Sequence, residues 1–381
     1  MASQPRIAII HNHPIHYNHL LFQELKRQGL QFEVLFTASR SSERIESLNL
    51  HDDLYRFRAG FDGPYQRHPP LRTWGFVSRS LNEIDPEVVI ISGWCDVAAW
   101  AAWCWAEAHH RPKILWEESN RFDRPRPFYR ELPKRLFVRR CSAANVYGTA
   151  NKEYLTRLGM AENRIVTKRA VADVSLFLNS DGRPIEKPPY KVLLYVGRFS
   201  PEKNLELLTR AFARVRQDYS SPHMVLALVG YGPLESTLRA LAERLGTRQT
   251  VQFWGPALHN ELPGIYRRAD AFILPSVRET WGLVVLEAML SGLPVLVSAR
   301  CGCAYDLVTP QTGWTFNPYD ETGLGRLLEH VCASPREALE QMGEAGRAVA
   351  REYSPENCAR IIIQTVERVV AEARPHGSSP P

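Results

Sequence analysis

Several absences narrow the problem first. The seven cysteines, Cys95, Cys104, Cys141, Cys301, Cys303, Cys332 and Cys358, are odd in number and contain no CxxC pair. A disulfide scaffold and a thiolate zinc site are therefore not expected, and the chain reads as reduced and intracellular. The opening MASQPRIAII has no charged region ahead of a long apolar stretch, because His11, Asn12 and His13 interrupt the run; export is not expected. Charge of one sign is scarce: Lys+Arg 47 against Asp+Glu 41 leaves +6, too mild a bias for a dedicated nucleic-acid binder. With 23 Gly and 27 Pro among 381 residues, collagen and bulk disorder are also excluded.

A long hydrophobic run is nearly absent too. From Val88 to Ala106, VVIISGWCDVAAWAAWCWA holds only one charge, Asp96, and it reaches the length of a membrane span. Its halves differ, however. VVIIS is β-branched and strand-length, Gly93 permits a turn, and the Ala/Trp stretch after Asp96 has helical character. We read strand, turn and helix, with Trp100 and Trp103 at core spacing among the clustered Trp94, Trp105 and Trp116.

What is present is a chain long enough for two or three cores. Apolar runs of strand length alternate with helical patterns, the signature of βαβ units and parallel sheets. In the first half the runs are 6–10, 32–36, 88–92, 113–117 and 145–148; in the second they are 191–197, 224–230, 251–255, 271–275 and 294–298. Residues 174–190 carry three prolines and no periodic pattern, and read as a linker. The expectation is an α/β chain of two doubly wound, Rossmann-like domains facing a cleft, 1–175 and 191–355, joined by 176–190. A helix over 356–372 and a frayed tail over 373–381 follow. Ligands in such sheets sit at the carboxyl ends of the strands.

The densest chemistry lies in LPSVRETWGLVVLEAMLSGLPVLVS, residues 274–298. A strand ends near Pro275, a loop holds Glu279, and an apolar helix beginning near Gly282 carries Glu287. A carboxylate in so apolar a helix needs hydrogen-bonding partners, and sugar or ribose hydroxyls qualify. The amides from Thr280 to Leu283 open a helix that can receive a phosphate or sugar oxygen. Upstream, YVGRFSPEKN places Gly197 and Arg198 in a strand-end loop and Lys203 at a helix start, two cations suited to a diphosphate.

Glu279 and Glu287, with PS before and GLVVLEAM within, resemble the E-x7-E signature of the family-4 retaining glycosyltransferases, the group 1 enzymes of GT-B architecture. The resemblance covers the second half almost continuously and the first half in layout only. It implies that Glu279 contacts the donor sugar's hydroxyls, that Glu287 holds the nucleotide's ribose, and that Arg198 and Lys203, in GR-x3-KN, bind the pyrophosphate. It further implies a glycine turn at Gly230, a base lined by Ala257 to Leu262, and donor contacts from Gly197, Thr280, Trp281, Gly282 and Leu283. The C-terminal helix would pack back on the first domain. Asp306, in the segment 301–320, reads as structural.

The first half departs from that pattern. Many relatives have a glycine-rich loop after the first strand; here HNHPIHYNHLLF, residues 11–22, has no glycine, and close backbone approach to a phosphate is in doubt. The loop offers His11, His13, His16 and His19 as cleft-lining groups, with a metal site as the alternative; no neighbouring carboxylate or thiol in the sequence completes a ligand set. Where relatives often carry a histidine, KILWEESNRFD offers Glu117, Glu118, Ser119 and Asn120. Glu118 either orients or deprotonates an acceptor hydroxyl or pairs with Arg121 or Arg124 at the surface. We place His13, His16, Glu118 and Asn120 on the acceptor side, and Arg198, Lys203, Glu279 and Glu118 in catalytic roles. No DxD triplet occurs, so the resemblance implies cations in place of a metal, and no cofactor beyond the nucleotide-diphosphate sugar as co-substrate.

The implied function is a cytoplasmic, retaining glycosyltransferase acting on a saccharide, lipid-linked sugar or other glycoconjugate, with no nucleic-acid partner. A nucleotide-sugar epimerase, a phosphorylase of the same architecture and a catalytically silent nucleotide-sugar-binding subunit are the alternatives. Finally, residues 121–140 hold eight basic residues against Asp123 and Glu131, a local excess equal to that of the whole chain. Phe122, Phe128, Tyr129, Leu136 and Phe137 interleave with them. This strip reads either as a contact with an anionic membrane at its inner face, or with an anionic acceptor, or as a solvated basic helix face.

Overall fold

The structure is a computed structural model that describes residues 5–39, 54–64, 69–122, 127–178, 187–218 and 224–374. The first unit runs β1 (Ile7–His11), α1 (His16–Arg27), β2 (Phe32–Phe36), β3 (Arg56–Ala59), α2 (Pro70–Ile84), β4 (Val88–Ser92) and α3 (Val97–Ala108). It continues with β5 (Lys113–Glu117), α4 (Phe128–Arg139), β6 (Ala143–Val146), α5 (Thr149–Leu158), β7 (Ile165–Val166) and α6 (Val174–Leu178). The second contains β8 (Lys191–Val196), α7 (Leu205–Asp218), β9 (Met224–Val229), α8 (Glu235–Arg244), β10 (Val251–Gly255), α9 (Leu262–Tyr266) and β11 (Ala271–Leu274). After these come α10 (Leu283–Leu290), β12 (Val295–Ser298), α11 (Ala304–Leu307), β13 (Gly313–Phe316), α12 (Glu321–Ala333), α13 (Arg336–Ala350) and α14 (Pro355–Ala373).

Among the described residues every strand pairing is parallel. The sheets run β3-β2-β1-β4-β5-β6-β7 and β10-β9-β8-β11-β12-β13. Both are therefore doubly wound, and strand order reverses between β1 and β4 in the first sheet and between β8 and β11 in the second. A crevice opens at the carboxyl ends of such a pair. The crevices are flanked by the His11–Tyr17 loop and Gly93 in one unit, and by the Gly197–Lys203 and Ser276–Gly282 loops in the other.

Three strands escape the sequence pattern. β3 carries two arginines at a sheet edge, β7 has two residues, and β13 lies in the segment 301–320, outside the ten apolar runs. The linker reading of 174–190 also needs correction. Residues 174–178 form α6, whose Phe177 is buried in the core of the second unit; residues 179–186 lie outside the described set. The five-residue helix is set by Asp173, whose Oδ1 accepts from the Leu176 amide and the Ser175 hydroxyl.

The span-like segment divides as its composition implies. Gly93 adopts φ +74°, and Asp96 caps α3 by accepting from Ala99 N at 2.8 Å. Among the described residues no helix is long and apolar enough to cross a membrane. The clustered tryptophans are core: Trp94, Trp105 and Trp116 are buried, and Trp100 and Trp103 pack on Phe137.

The chain crosses between units twice. After the first crossing it builds the second core; after the second, α14 returns to the first unit. There Cys358, Ala359, Ile362, Val366 and Val369 are buried with Ile7, Ile9, Leu21 and Val34. Ser354 caps this helix through Asn357 N, ahead of Pro355. The two crossings are bonded to each other, Ala172 N donating to Tyr353 O at 2.9 Å.

Candidate active site

On the second unit's side, β8 delivers Gly197 and Arg198 to the crevice. Lys203 does not open a long helix: it ends a 3₁₀ turn, Pro201–Lys203, and Asn204 in the left-handed region separates it from α7. Its ammonium donates to Glu279 Oε2, which also accepts from Ser276 Oγ at 3.3 Å. Both partners are mostly shielded from solvent, so the pair has more electrostatic weight than a surface bridge. Arg198 stays exposed and reaches Glu202 at 3.4 Å. The two loops are joined by Val277 N donating to Glu202 O.

Gly282, the residue before α10, has φ +103°, a conformation costly for a residue with a Cβ. No side chain caps the helix, so its first amides, including Leu283 N, remain available to a ligand. Thr280 is exposed, Leu283 half-buried and Trp281 buried against Tyr147 and Tyr353. Glu287 is 1% exposed, and two tyrosines supply the partners a buried carboxylate requires. Tyr266 OH donates to Oε2 at 2.8 Å, and Tyr17 OH, from the first unit, donates to Oε1. Burial raises the Glu287 carboxyl above its usual range although both hydroxyls work in the opposite direction. Ala257 and Leu262 are half-buried around the 3₁₀ turn His259–Glu261, and Gly230 N donates to Gly255 O behind them.

The histidine loop divides by role. His11 is buried; its Nδ1 donates to His13 O at 3.0 Å, which leaves Nε2 to accept from Asn18. Burial, helped by His13, lowers it to about 4. His19 lies beside Tyr55 with its ring tilted against the phenol, Nδ1 3.2 Å from the Tyr55 hydroxyl. His13 is half-buried in the loop. His16 meets what the sequence did not reveal: Asp173 Oδ2 lies 3.3 Å from His16 Nε2 and 3.5 Å from His259 Nε2. Burial alone would raise the Asp173 carboxyl, but hydrogen bonds from both imidazoles outweigh it and hold it well below the usual range. The three residues offer ligand atoms within 4.8 Å of one another. The expectation that no carboxylate stands near these histidines is thus corrected, because Asp173 arrives from the crossing segment.

The Glu117–Asn120 segment is also resolved into separate tasks. Glu117 is buried, with Oε1 accepting from Glu118 N and Ser119 N; burial raises it to about 7. Glu118 pairs with neither Arg121 nor, among the described residues, any surface cation. It accepts from Arg169 at 2.8 Å and from Tyr147 OH at 2.6 Å. Burial works to raise its carboxyl, but the Arg169 charge and the Tyr147 hydroxyl leave it below the usual range. Arg169 is itself buried between the rings of Trp116 and Tyr147. Arg121 instead reaches Glu153 and the Tyr305 hydroxyl, and Arg124 lies outside the described residues.

Asn120, expected on the acceptor side, is 0% exposed and faces the other unit. Its amide donates to the carbonyls of Glu279 and Thr280, both at 2.9 Å, and so holds the loop that carries Glu279. A second seam lies beside it. Thr149 donates through N and Oγ1 to Asp306, consistent with a structural role for that acid. At Gly148 an added Cβ would lie 2.3 Å from Asp306 Oδ2 and 2.4 Å from the Trp281 ring. Tyr17, Tyr266, Asp173, Tyr147 and Arg169 are the site residues that sequence reasoning missed; His259, expected only within the stretch lining the base, stands beside Asp173. The only local signal for Tyr17 was its place in the polar loop after β1.

Two doubly wound sheets meeting across their switch points define the GT-B architecture. Sucrose-phosphate synthase from Thermosynechococcus elongatus superposes with TM-score 0.78 at 20% identity, covering 97% of this chain and 100% of that one. Anabaena Alr3699/HepE, solved in complex with UDP and glucose, superposes with TM-score 0.73 at 17% identity, over 96% and 100%. Within that fold, residues 180–349 match the family model of glycosyl transferases group 1. Sulfoquinovosyl transferase SQD2 of Arabidopsis thaliana is 38% identical over 178 residues, 46% of this chain and 32% of SQD2, so the chain matches about a third of that relative. A D-inositol 3-phosphate glycosyltransferase of Stackebrandtia nassauensis is 28% identical over 366 residues, 87% of this chain and 82% of the relative.

Proposed function

We propose that the protein moves a sugar from a nucleotide-diphosphate donor to a hydroxyl acceptor, a saccharide, lipid-linked sugar or other glycoconjugate, with retention at the anomeric carbon. The observation that carries this reading is the meeting of Lys203 with Glu279 at the second sheet's switch point, next to the helix that buries Glu287. In this reading Glu279 takes the sugar hydroxyls, Glu287 the ribose, and Arg198 and Lys203 the diphosphate, with the free amides at the start of α10 helping. The base lies along residues 257–262. Donor binding then exchanges protein partners for ligand ones: sugar hydroxyls and phosphate oxygens divide the Lys203–Glu279 pair, and a ribose hydroxyl replaces Tyr17 at Glu287. The group 1 match and the UDP-bound neighbour of the same fold support this assignment.

The acceptor enters from the first unit, beside His13, His16 and Glu118. The bond between the anomeric carbon and the phosphate oxygen breaks, the acceptor oxygen bonds to the same face of that carbon, and the acceptor proton passes to the leaving phosphate. Arg198 and Lys203 offset the charge that builds there. Neither a covalent nucleophile nor a metal takes part in this reading. Closure of the two units excludes water and limits donor hydrolysis.

The test is release of free nucleoside diphosphate from UDP-, GDP- and ADP-sugars with and without acceptor extracts. Release that requires acceptor is expected. Conversion of the donor sugar without release would make the protein an epimerase, and donor binding without turnover on any acceptor would make it a silent binding subunit.

A further inference from the structure

The helix α4 has its polarity turned inside out. A helix on the surface of a soluble domain buries its apolar stripe and exposes its polar one. Here Phe128, Tyr129, Leu132 and Leu136 are 79%, 57%, 55% and 51% exposed. Ten large apolar side chains are exposed among the described residues, and these four share one twelve-residue helix. Phe128, Leu132 and Leu136 are spaced i, i+4, i+8, so they form one stripe rather than a scatter. Pro133, also exposed, lies beside it.

The charges on the helix are sorted as sharply. Its one acid, Glu131, is turned inward, where it accepts from Lys134 at 2.8 Å and from Tyr154 OH. Lys134 is likewise occupied, lying over the Trp94 and Tyr154 rings. Phe137 and Val138 anchor the inner face in the core. Arg130, Arg135 and Arg139 are exposed and, among the described residues, have no carboxylate partner. Arg135 and Arg139 fall within the apolar stripe and Arg130 is exposed on its flank, so the outward surface joins apolar side chains with unneutralised arginines and, among the described residues, carries no negative charge.

We propose that this face of α4 docks on an anionic membrane surface. Its chemistry matches that occupant on both counts. Aromatic and leucine side chains enter the boundary between headgroups and acyl chains, while arginines stay at the level of the lipid phosphates. A neutral protein partner would leave the arginines uncompensated, and water alone leaves the stripe exposed. The placement also suits the cleft. The helix follows β5, so its first residues, Phe128 and Tyr129, lie near the carboxyl edge of the sheet, where the cleft opens. Docking by α4 stands independently of the transfer reading; if both hold, the membrane presents a lipid-borne hydroxyl at the acceptor side.

The experiment is co-sedimentation of the full chain with vesicles of phosphatidylcholine alone and of phosphatidylcholine with phosphatidylglycerol, at low and high salt. Binding is expected only with phosphatidylglycerol and is expected to weaken with salt. R130Q/R135Q/R139Q should lower the partition coefficient about fivefold per arginine removed, and F128A/L132A/L136A should lower it as well. All six positions are exposed, so both variants should keep the parent's melting profile and its donor-dependent thermal shift. Absence of wild-type binding to anionic vesicles overturns the proposal, as does equal binding to both vesicle types or equal binding by wild type and variants. Self-association abolished by F128A/L132A/L136A, without vesicle binding, would assign the face to a second copy instead and overturn it too.

Discussion

The hydroxyl of Tyr17, in the first unit, donates to the carboxylate of Glu287, buried in the second and 270 positions further along the chain. If a ribose hydroxyl takes that carboxylate oxygen, Tyr17 is the group it displaces. Tyr17→Phe should lower the stability of the ligand-free protein by about 1–3 kcal/mol, the cost of leaving a buried acceptor short of a donor. The thermal shift produced by the cognate nucleoside diphosphate should then grow, since binding no longer breaks a protein hydrogen bond. An unchanged shift would remove Tyr17 from the ribose site.

Lys203→Ala should cut turnover about 10²- to 10³-fold, in line with loss of one preorganised group at a developing charge. It should leave the circular dichroism spectrum intact, because the side chain packs in no core. Wild-type turnover in excess EDTA should match that without it. Full activity in the folded variant, or loss of activity in EDTA, would sink the assignment of phosphate stabilisation to these cations.

Two buried groups should oppose each other in the pH dependence of stability. Glu117, raised to about 7, holds its proton in the folded state after the unfolded chain has released it. It therefore costs stability as pH rises from about 4.5 to about 7. His11, lowered to about 4, refuses a proton that the unfolded chain accepts, so its contribution is gained as pH rises from about 4 to about 6.5. Glu117→Gln should make stability climb more steeply across pH 5 to 7, and His11→Asn should make it fall. Chemical denaturation at half-unit steps measures both slopes; a common sign for the two variants would contradict the assignment.

Gly148→Ala should destabilise the protein by about 1–3 kcal/mol, the usual cost of forcing a methyl into a packed seam. The methyl meets the Asp306 carboxylate and the Trp281 ring, so the loss should fall on the contact between units. Intrinsic tryptophan fluorescence should report it, and unaltered emission and stability would mean that the seam yields freely.

Much of this was legible in the sequence because it is local. Parallel sheets announce themselves as apolar runs of strand length, and among the described residues ten of the thirteen strands follow that rule. Glu279 and Glu287 sit on one loop and one helix, so their spacing carries meaning. β3 was hidden because its arginines break the apolar pattern at an edge, and α6 because five residues are too few to display a helical period. Tyr17, Asp173 and Arg169 were hidden for another reason. Each acts on a residue from a distant part of the chain, and no spacing rule links His16 to a carboxylate 157 positions away. The bonds that Asn120 makes were hidden for the same reason, since its partners are carbonyls of the opposite unit.

The bond between Ala172 and Tyr353 has a mechanical consequence. Because α14 returns to the first unit, the second unit is topologically an insertion, attached by two strands of chain rather than one. Two tethers far apart would weld the units together, and a single tether would let one wander in any direction. Two tethers laid side by side and bonded to each other act as a narrow flexure, which resists twist and lateral drift while leaving one soft rotation. In the closure proposed above, opening and closing follow a fixed arc, and Glu279 and Glu287 return to the same facing residues on every cycle.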